Sequence, residues 1–144
     1  MKLLFVCTGN TCRSPMAQAL ALALAQERGL TLSAASAGLD AMPGQRASEG
    51  AAAAMAARGL SLSAHRARRF EPEMATDALV LAMTRSHAVR LRALAPWADI
   101  RTLGEWARTN AEVLDPFGGS MARYEACAEQ LAQLIRAGLD AAGR

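Results

Sequence analysis

Short apolar runs alternate along the chain with longer stretches in which apolar residues recur every three or four positions. Residues 2–7 (KLLFVC) form the first run and predict a strand, which Thr8-Gly9-Asn10-Thr11 breaks. From Pro15 onward Met16, Leu20, Ala23 and Leu24 repeat at helical spacing as far as Arg28-Gly29, with Ser14-Pro15 reading as N-cap and first-turn proline. Residues 32–38 (LSAASAG) predict a strand of small residues, and 48–58, nearly all alanine, a helix that ends on Arg58-Gly59. The segment 28–34 is echoed by 58–64, so propensity also allows extended chain at 61–64; the echo is too short to define a repeat. Further on, 72–77 reads as a short helix, 78–83 (ALVLAM) as a buried strand, 85–94 as a helix, 100–103 as a last strand and 120–142 as a long helix. In that last helix Tyr124, Ala128, Leu131, Ile135 and Leu139 share the inward face. Strands alternating with helices imply an α/β fold, a parallel sheet covered on both faces, with its ligand site beyond the carboxyl ends of the strands.

Composition narrows this picture. The 144 residues fit one domain, 1–144. With 34 alanines and only 6 aromatics, the 52% apolar fraction is mostly small methyl groups, which suits closely packed helices. No apolar run is long enough to span a membrane, and the N-terminus lacks a cleavage-site pattern. Three cysteines, Cys7, Cys12 and Cys127, make an odd number without framework spacing, so a reducing, cytoplasmic setting is expected. Net charge is +3, and 15 of the 16 basic residues are arginines spread singly along the chain. The one cluster, Arg66, Arg68 and Arg69, has no interleaved aromatics, so no nucleic-acid partner is expected.

The chemistry concentrates in Cys7-Thr8-Gly9-Asn10-Thr11-Cys12-Arg13-Ser14-Pro15, between the first strand and the first helix. Backbone N–H groups of such a loop, with the positive end of the helix, form an anion cradle suited to phosphate. Cys7, at the strand end, faces the same positive field, which favours the nucleophilic thiolate; the alternative for an isolated cysteine on an apolar strand is a core thiol. A cation in the first helical turn opposes the helix dipole, so Arg13 calls for an anionic partner and can fork onto two phosphoryl oxygens. Asp115, in Asp115-Pro116-Phe117-Gly118-Gly119-Ser120, is the carboxylate available as an acid for the leaving group, or else an ordinary Asp-Pro turn. Cys127, on the inward face of the last helix, reads as inert core.

Cys-x5-Arg-Ser near the N-terminus with Asp-Pro late in the chain resembles the low-molecular-weight protein tyrosine phosphatase family. The likeness extends through Ser36-Ala37-Gly38, His65, Leu81-Ala82-Met83-Thr84 and Asp115-Pro116, nearly the whole chain. The resemblance implies a three-layer sandwich with a four-stranded parallel sheet flanked by helices, in which 61–64 is a connector. It implies a phosphocysteine intermediate, no metal and no cofactor, phosphorylated proteins as partners and inorganic phosphate as product. Cys7, Arg13 and Asp115 would be catalytic; Thr8, Gly9, Asn10, Thr11, Cys12 and Ser14 would hold the phosphoryl group, and Phe117 would wall the substrate. Ser14 would stabilise the departing thiolate, while Asn10, Ser36 and His65 would shape the loop.

Within the family the two motifs look most like the bacterial protein-arginine phosphatase branch. Tyrosine-directed members usually carry an aliphatic residue where this chain has Thr11, whose hydroxyl can accept a hydrogen bond from a guanidinium N–H or instead bond the loop itself. The alternative is therefore a tyrosine phosphatase. The loop after Gly38 (Leu39-Asp40-Ala41-Met42) lacks the aromatic of many relatives, and Asp40 either meets a basic substrate or is solvated. Cys12 stands close enough to Cys7 in sequence for a protective disulfide, or is a small buried loop residue. Other readings are weaker. An arsenate reductase needs further cysteines around 84–94, a phosphopeptide binder needs neither Cys7 nor Asp115, and a zinc site from Cys7, Cys12, His65 and His87 would face the loop's arginine.

Overall fold

The computed structural model describes residues 1–143. Four strands, β1 (Lys2–Cys7), β2 (Ser33–Gly38), β3 (Leu79–Ala82) and β4 (Asp99–Thr102), pair in parallel in the order β2-β1-β3-β4. The helices are α1 (Arg13–Glu27), α2 (Glu49–Ala56), α3 (Arg85–Leu94), α4 (Leu103–Trp106) and α5 (Met121–Ala142). The two-residue period of β1 sorts its side chains onto two cores. Leu3, Phe5 and Cys7 join Met16, Leu20, Met55, Leu131 and Ile135 under α1, α2 and α5, whereas Leu4 and Val6 join Val80, Ile100, Ala88 and Leu91 under α3. The sheet between two helical layers is the sandwich expected above.

The abundant alanines explain the close packing on the first face. Ala17, Ala21 and Ala25 recur every four residues of α1 and are buried, as are Ala128 and Ala132 of α5. Gly50 of α2 lies flat against Tyr124, where a Cβ would come within 2.3 Å of the ring. That contact seats the phenol of α5 against the loop that follows β1.

Several boundaries differ from the sequence reading. Helix α1 begins at Arg13, and Cys12 occupies the N-cap position without a side-chain cap, so Ser14 is not the cap. Its hydroxyl is drawn to other partners, described below, and Pro15 still falls within the first turn, where a missing N–H is harmless. Residues 61–64 form no strand but part of the connector, in which Arg69 makes one isolated bridge to Gly38. The 72–77 segment contracts to a 3-10 turn over Pro72–Ala75. The last strand stops at Thr102, because Thr102 and Glu105 form a capping box that starts α4 at Leu103, one residue inside the expected strand.

Candidate active site

Strand order reverses about β1: the chain leaves β1 for β2 on one side and returns to β3 on the other. A crevice opens at such a point beyond the carboxyl ends of the strands. The loop between β1 and α1 fills its floor. Gly38, paired with Cys7, allows the loop to approach β2; a Cβ there would lie 2.6 Å from the carbonyl oxygen of Thr8 and 2.8 Å from the amide nitrogen of Asn10. Among the described residues, the N–H groups of Gly9, Asn10, Thr11 and Cys12 have no protein acceptor.

Cys7, Thr8, Gly9, Thr11, Cys12, Arg13, Asp115 and Phe117 line one cleft of about 290 Å³, so the expected residues of both motifs meet although they lie a hundred positions apart. Asn10, Ser14, Ser36 and His65 stand behind them. Asn10 Nδ2 donates to Ser14 Oγ at 2.8 Å and to Ser36 Oγ at 3.0 Å, while its Oδ1 accepts the Arg68 N–H at 2.9 Å. His65 Nε2 donates to the Asn10 carbonyl at 2.7 Å. These bonds hold Asn10 in the left-handed region, φ 56°, which asparagine tolerates better than most residues.

Because Ser14 Oγ already accepts from Asn10, its proton is free to point at Cys7 Sγ, 2.9 Å away and nearer than the Ala37 carbonyl at 3.4 Å. Arg13 is buried, donates to the Val113 carbonyl at 2.9 Å and stands 3.8 Å from Asp115, whose side chain is half exposed. Asp115 Oδ1 accepts the Phe117 N–H at 3.0 Å, which aims the carboxylate along the cleft and lays the exposed Phe117 ring at its rim.

The structure adds contacts that the sequence reading did not foresee. Arg68 belongs to the basic cluster, yet its Nε donates to the Ser36 carbonyl at 3.0 Å and it braces the loop rather than facing a polyanion. Gln18 accepts from Ser36 Oγ at 2.7 Å. Cys12 Sγ contacts Ser48 Oγ at 3.1 Å and the Tyr124 hydroxyl at 3.7 Å, and burial raises the Tyr124 pKa. Met42 and Gln45 complete the cleft wall. Asp40 also lines it and is held by Arg90 at 2.8 and 2.9 Å, a forked pair that lowers its pKa. Cys127 is buried as expected, and burial pushes its thiol up to about 12. It lies behind Asp115, in a second cavity of about 420 Å³. His87, considered above only as a metal ligand, is buried beside Thr8, and burial with nearby Arg13 and Arg90 pushes it down to about 4.

The likeness to known proteins agrees with this geometry. A sequence profile described as low molecular weight phosphotyrosine protein phosphatase matches residues 2–142. The chain is 38% identical over 139 residues to a protein-arginine-phosphatase of Bacillus subtilis, covering 94% of this chain and 93% of that one. It is 33% identical over 136 residues to the low molecular weight protein-tyrosine-phosphatase PtpB of Staphylococcus epidermidis, covering 94% of each. A solved structure of the YwlE arginine phosphatase, a cysteine-to-serine mutant with phosphorylated active site serine, matches with a TM-score of 0.91 at 35% identity. That match covers 100% of this chain and 97% of the other. With its sheet order, its cysteine loop and these relatives spanning the whole fold, the chain belongs to the low molecular weight phosphotyrosine protein phosphatase family.

Proposed function

We propose that this protein phosphatase hydrolyses phosphoarginine in proteins through a phosphocysteine intermediate. Cys7 thiolate attacks phosphorus in line, while the amides of residues 8–12 and the Arg13 guanidinium hold the equatorial oxygens on which transition-state charge spreads. Asp115 protonates the departing nitrogen. Ionised, it then takes a proton from the water that attacks phosphocysteine, and inorganic phosphate leaves as Ser14 stabilises the returning thiolate. The positions of Cys7, Arg13 and Asp115 around one cleft, with Ser14 behind Cys7, support this sequence of steps.

The arginine reading rests on Thr11. Its hydroxyl lines the cleft, and among the described residues its one side-chain hydrogen-bond partner is Cys12 Sγ, at a long 3.8 Å. It is therefore available to accept from a guanidinium N–H, which an aliphatic residue would leave unpaired at a cost of about 1–3 kcal/mol. The relative from Bacillus subtilis bears the name of a protein-arginine-phosphatase. The test is kcat/KM on matched peptides carrying phosphoarginine or phosphotyrosine, with Cys7→Ser protein as the blank. Phosphoarginine is expected to be preferred, and Thr11→Ile to shift the ratio toward phosphotyrosine by about ten-fold or more. Preference for phosphotyrosine in the wild type would keep the mechanism and reassign the substrate; turnover undiminished in Cys7→Ser would remove the mechanism itself.

A further inference from the structure

His87 joins the cleft to the opposite side of the sheet switch. It lies in the first turn of α3, and its ring stands between two hydroxyls: Nδ1 is 2.9 Å from Thr84 Oγ1 and Nε2 is 2.8 Å from Thr8 Oγ1. Thr84 Oγ1 is already the N-cap acceptor for the His87 backbone N–H, at 3.2 Å. A hydroxyl has one proton to give, and among the described residues Nδ1 is the one acceptor in reach of the Thr84 hydroxyl. If Thr84 donates to Nδ1, the imidazole proton resides on Nε2 and is donated to Thr8 Oγ1. Thr8, having accepted, keeps its own proton free, and Thr8 lines the cleft.

We infer that Thr84, His87 and Thr8 form an ordered hydroxyl–imidazole–hydroxyl chain that fixes the Thr8 side chain as a hydrogen-bond donor to an anionic phosphoryl group in the cleft. His87 acts through Thr8 and is a positioning residue. The opposite tautomer would point the Thr8 proton back at Nε2 and present only lone pairs to a phosphoryl oxygen, a repulsive arrangement. The polarity of the chain is thus set at the cap of α3, where the Thr84 oxygen already accepts the His87 backbone N–H and its proton has Nδ1 as acceptor. A neutral ring is required, since an imidazolium would donate at both nitrogens and displace the Thr84 proton. The low basicity produced by burial and by Arg13 and Arg90 keeps the ring neutral through the physiological range. The inference rests on the cleft being a phosphate site, as proposed above.

Two measurements test it. In protein labelled with 15N-histidine, long-range 1H–15N correlation at neutral pH is expected to show His87 protonated on Nε2; protonation on Nδ1 would overturn the chain, whatever reaction the protein catalyses. The second is the dissociation constant of inorganic phosphate, followed by the amide shifts of residues 8–13. Thr8→Val and His87→Ala are each expected to weaken phosphate about ten-fold, and the double variant by the same ten-fold rather than a hundred-fold, since both act on one hydroxyl. His87→Gln, whose amide N–H can take the place of Nε2–H, is expected to recover part of the loss while the amide spectrum reports an intact fold. Multiplying effects in the double variant, or unchanged constants in folded single variants, would overturn the inference alone. A wild type that binds no phosphate would overturn the phosphate-site reading with it, leaving the tautomer as an independent result.

Discussion

Asn10 directs both side-chain N–H donors and its Oδ1 to residues from three other segments, Ser14 of α1, Ser36 of β2 and Arg68 of the connector, with His65 bonded to its carbonyl. Asn10→Ala leaves the Arg68 N–H without its acceptor and adds the cost of an alanine at φ 56°. A loss of about 2–4 kcal/mol is expected in urea unfolding. Because Ser14 Oγ then loses the donor that orients its proton toward Cys7, kcat should fall more than ten-fold, beyond any change in KM. Unaltered kcat in a destabilised but folded variant would separate this network from catalysis. At this scale the two motifs and the residues Asn10, Ser36 and His65 were legible, through spacing and family resemblance. Arg68 was not: within Arg66-Ala67-Arg68-Arg69 its neighbours make it look like solvated charge, and only the path of the backbone past Asn10 distinguishes it. His87 was hidden differently, since nothing local says that the start of α3 abuts the loop after β1.

Periodicity located all four strands and most helices because each has one buried face, and β1 and β3 have two. It failed where side chains serve the site or a competing cap. Ser14-Pro15 looks like a helix start, yet the helix begins earlier at Arg13 because the tight loop needs the Ser14 hydroxyl at Cys7. The Thr102 and Glu105 pair is a readable capping box, and it ends the strand at Thr102, one residue before the Leu103 that the strand assignment included. The echo between 28–34 and 58–64 records the same glycine stop, Gly29 at φ 65° and Gly59 at φ 76°, and says nothing about what the chain does afterwards. Gly38 is the element-level requirement most directly linked to function, because β2 can lie under the loop only without a Cβ. Gly38→Ala must push Thr8 and Asn10 outward, at about 1–3 kcal/mol. The expected signature is a modest drop in melting temperature with a much larger drop in kcat/KM, since the displaced atoms are those of the cysteine loop after β1. Proportionate loss of both, or none, would show that the loop and β2 adjust independently.

Across the whole molecule, the order β2-β1-β3-β4 places the loops after β1 and β3 side by side, so groups from both halves of the chain titrate within one field. His87 sits in that field with Arg13 and Arg90 opposing its protonation and Asp115 and Asp40 favouring it, and with burial the largest influence. In the folded molecule its pKa is about 4, against an ordinary 6.5 in the unfolded chain. Between those values the unfolded chain binds a proton that the folded one refuses. The contribution of the neutral ring to stability is thus complete above pH about 6.5 and declines as pH falls toward about 4, with no further decline below. Wild type and His87→Gln therefore should differ most in unfolding free energy near neutral pH, and the gap should narrow steadily toward pH 4.5. Glu105 and Glu129, whose carboxyls are held low by local hydrogen bonds, titrate alike in both proteins and cancel from the difference. Asp40 lies closer, but Arg90 holds it ionised over the same range, so it does not imitate the effect. A gap that stays constant from pH 7.5 to 4.5 would mean that the folded state protonates His87 as readily as the unfolded chain does, and the bond from Thr84 to a neutral ring would then not survive mild acid.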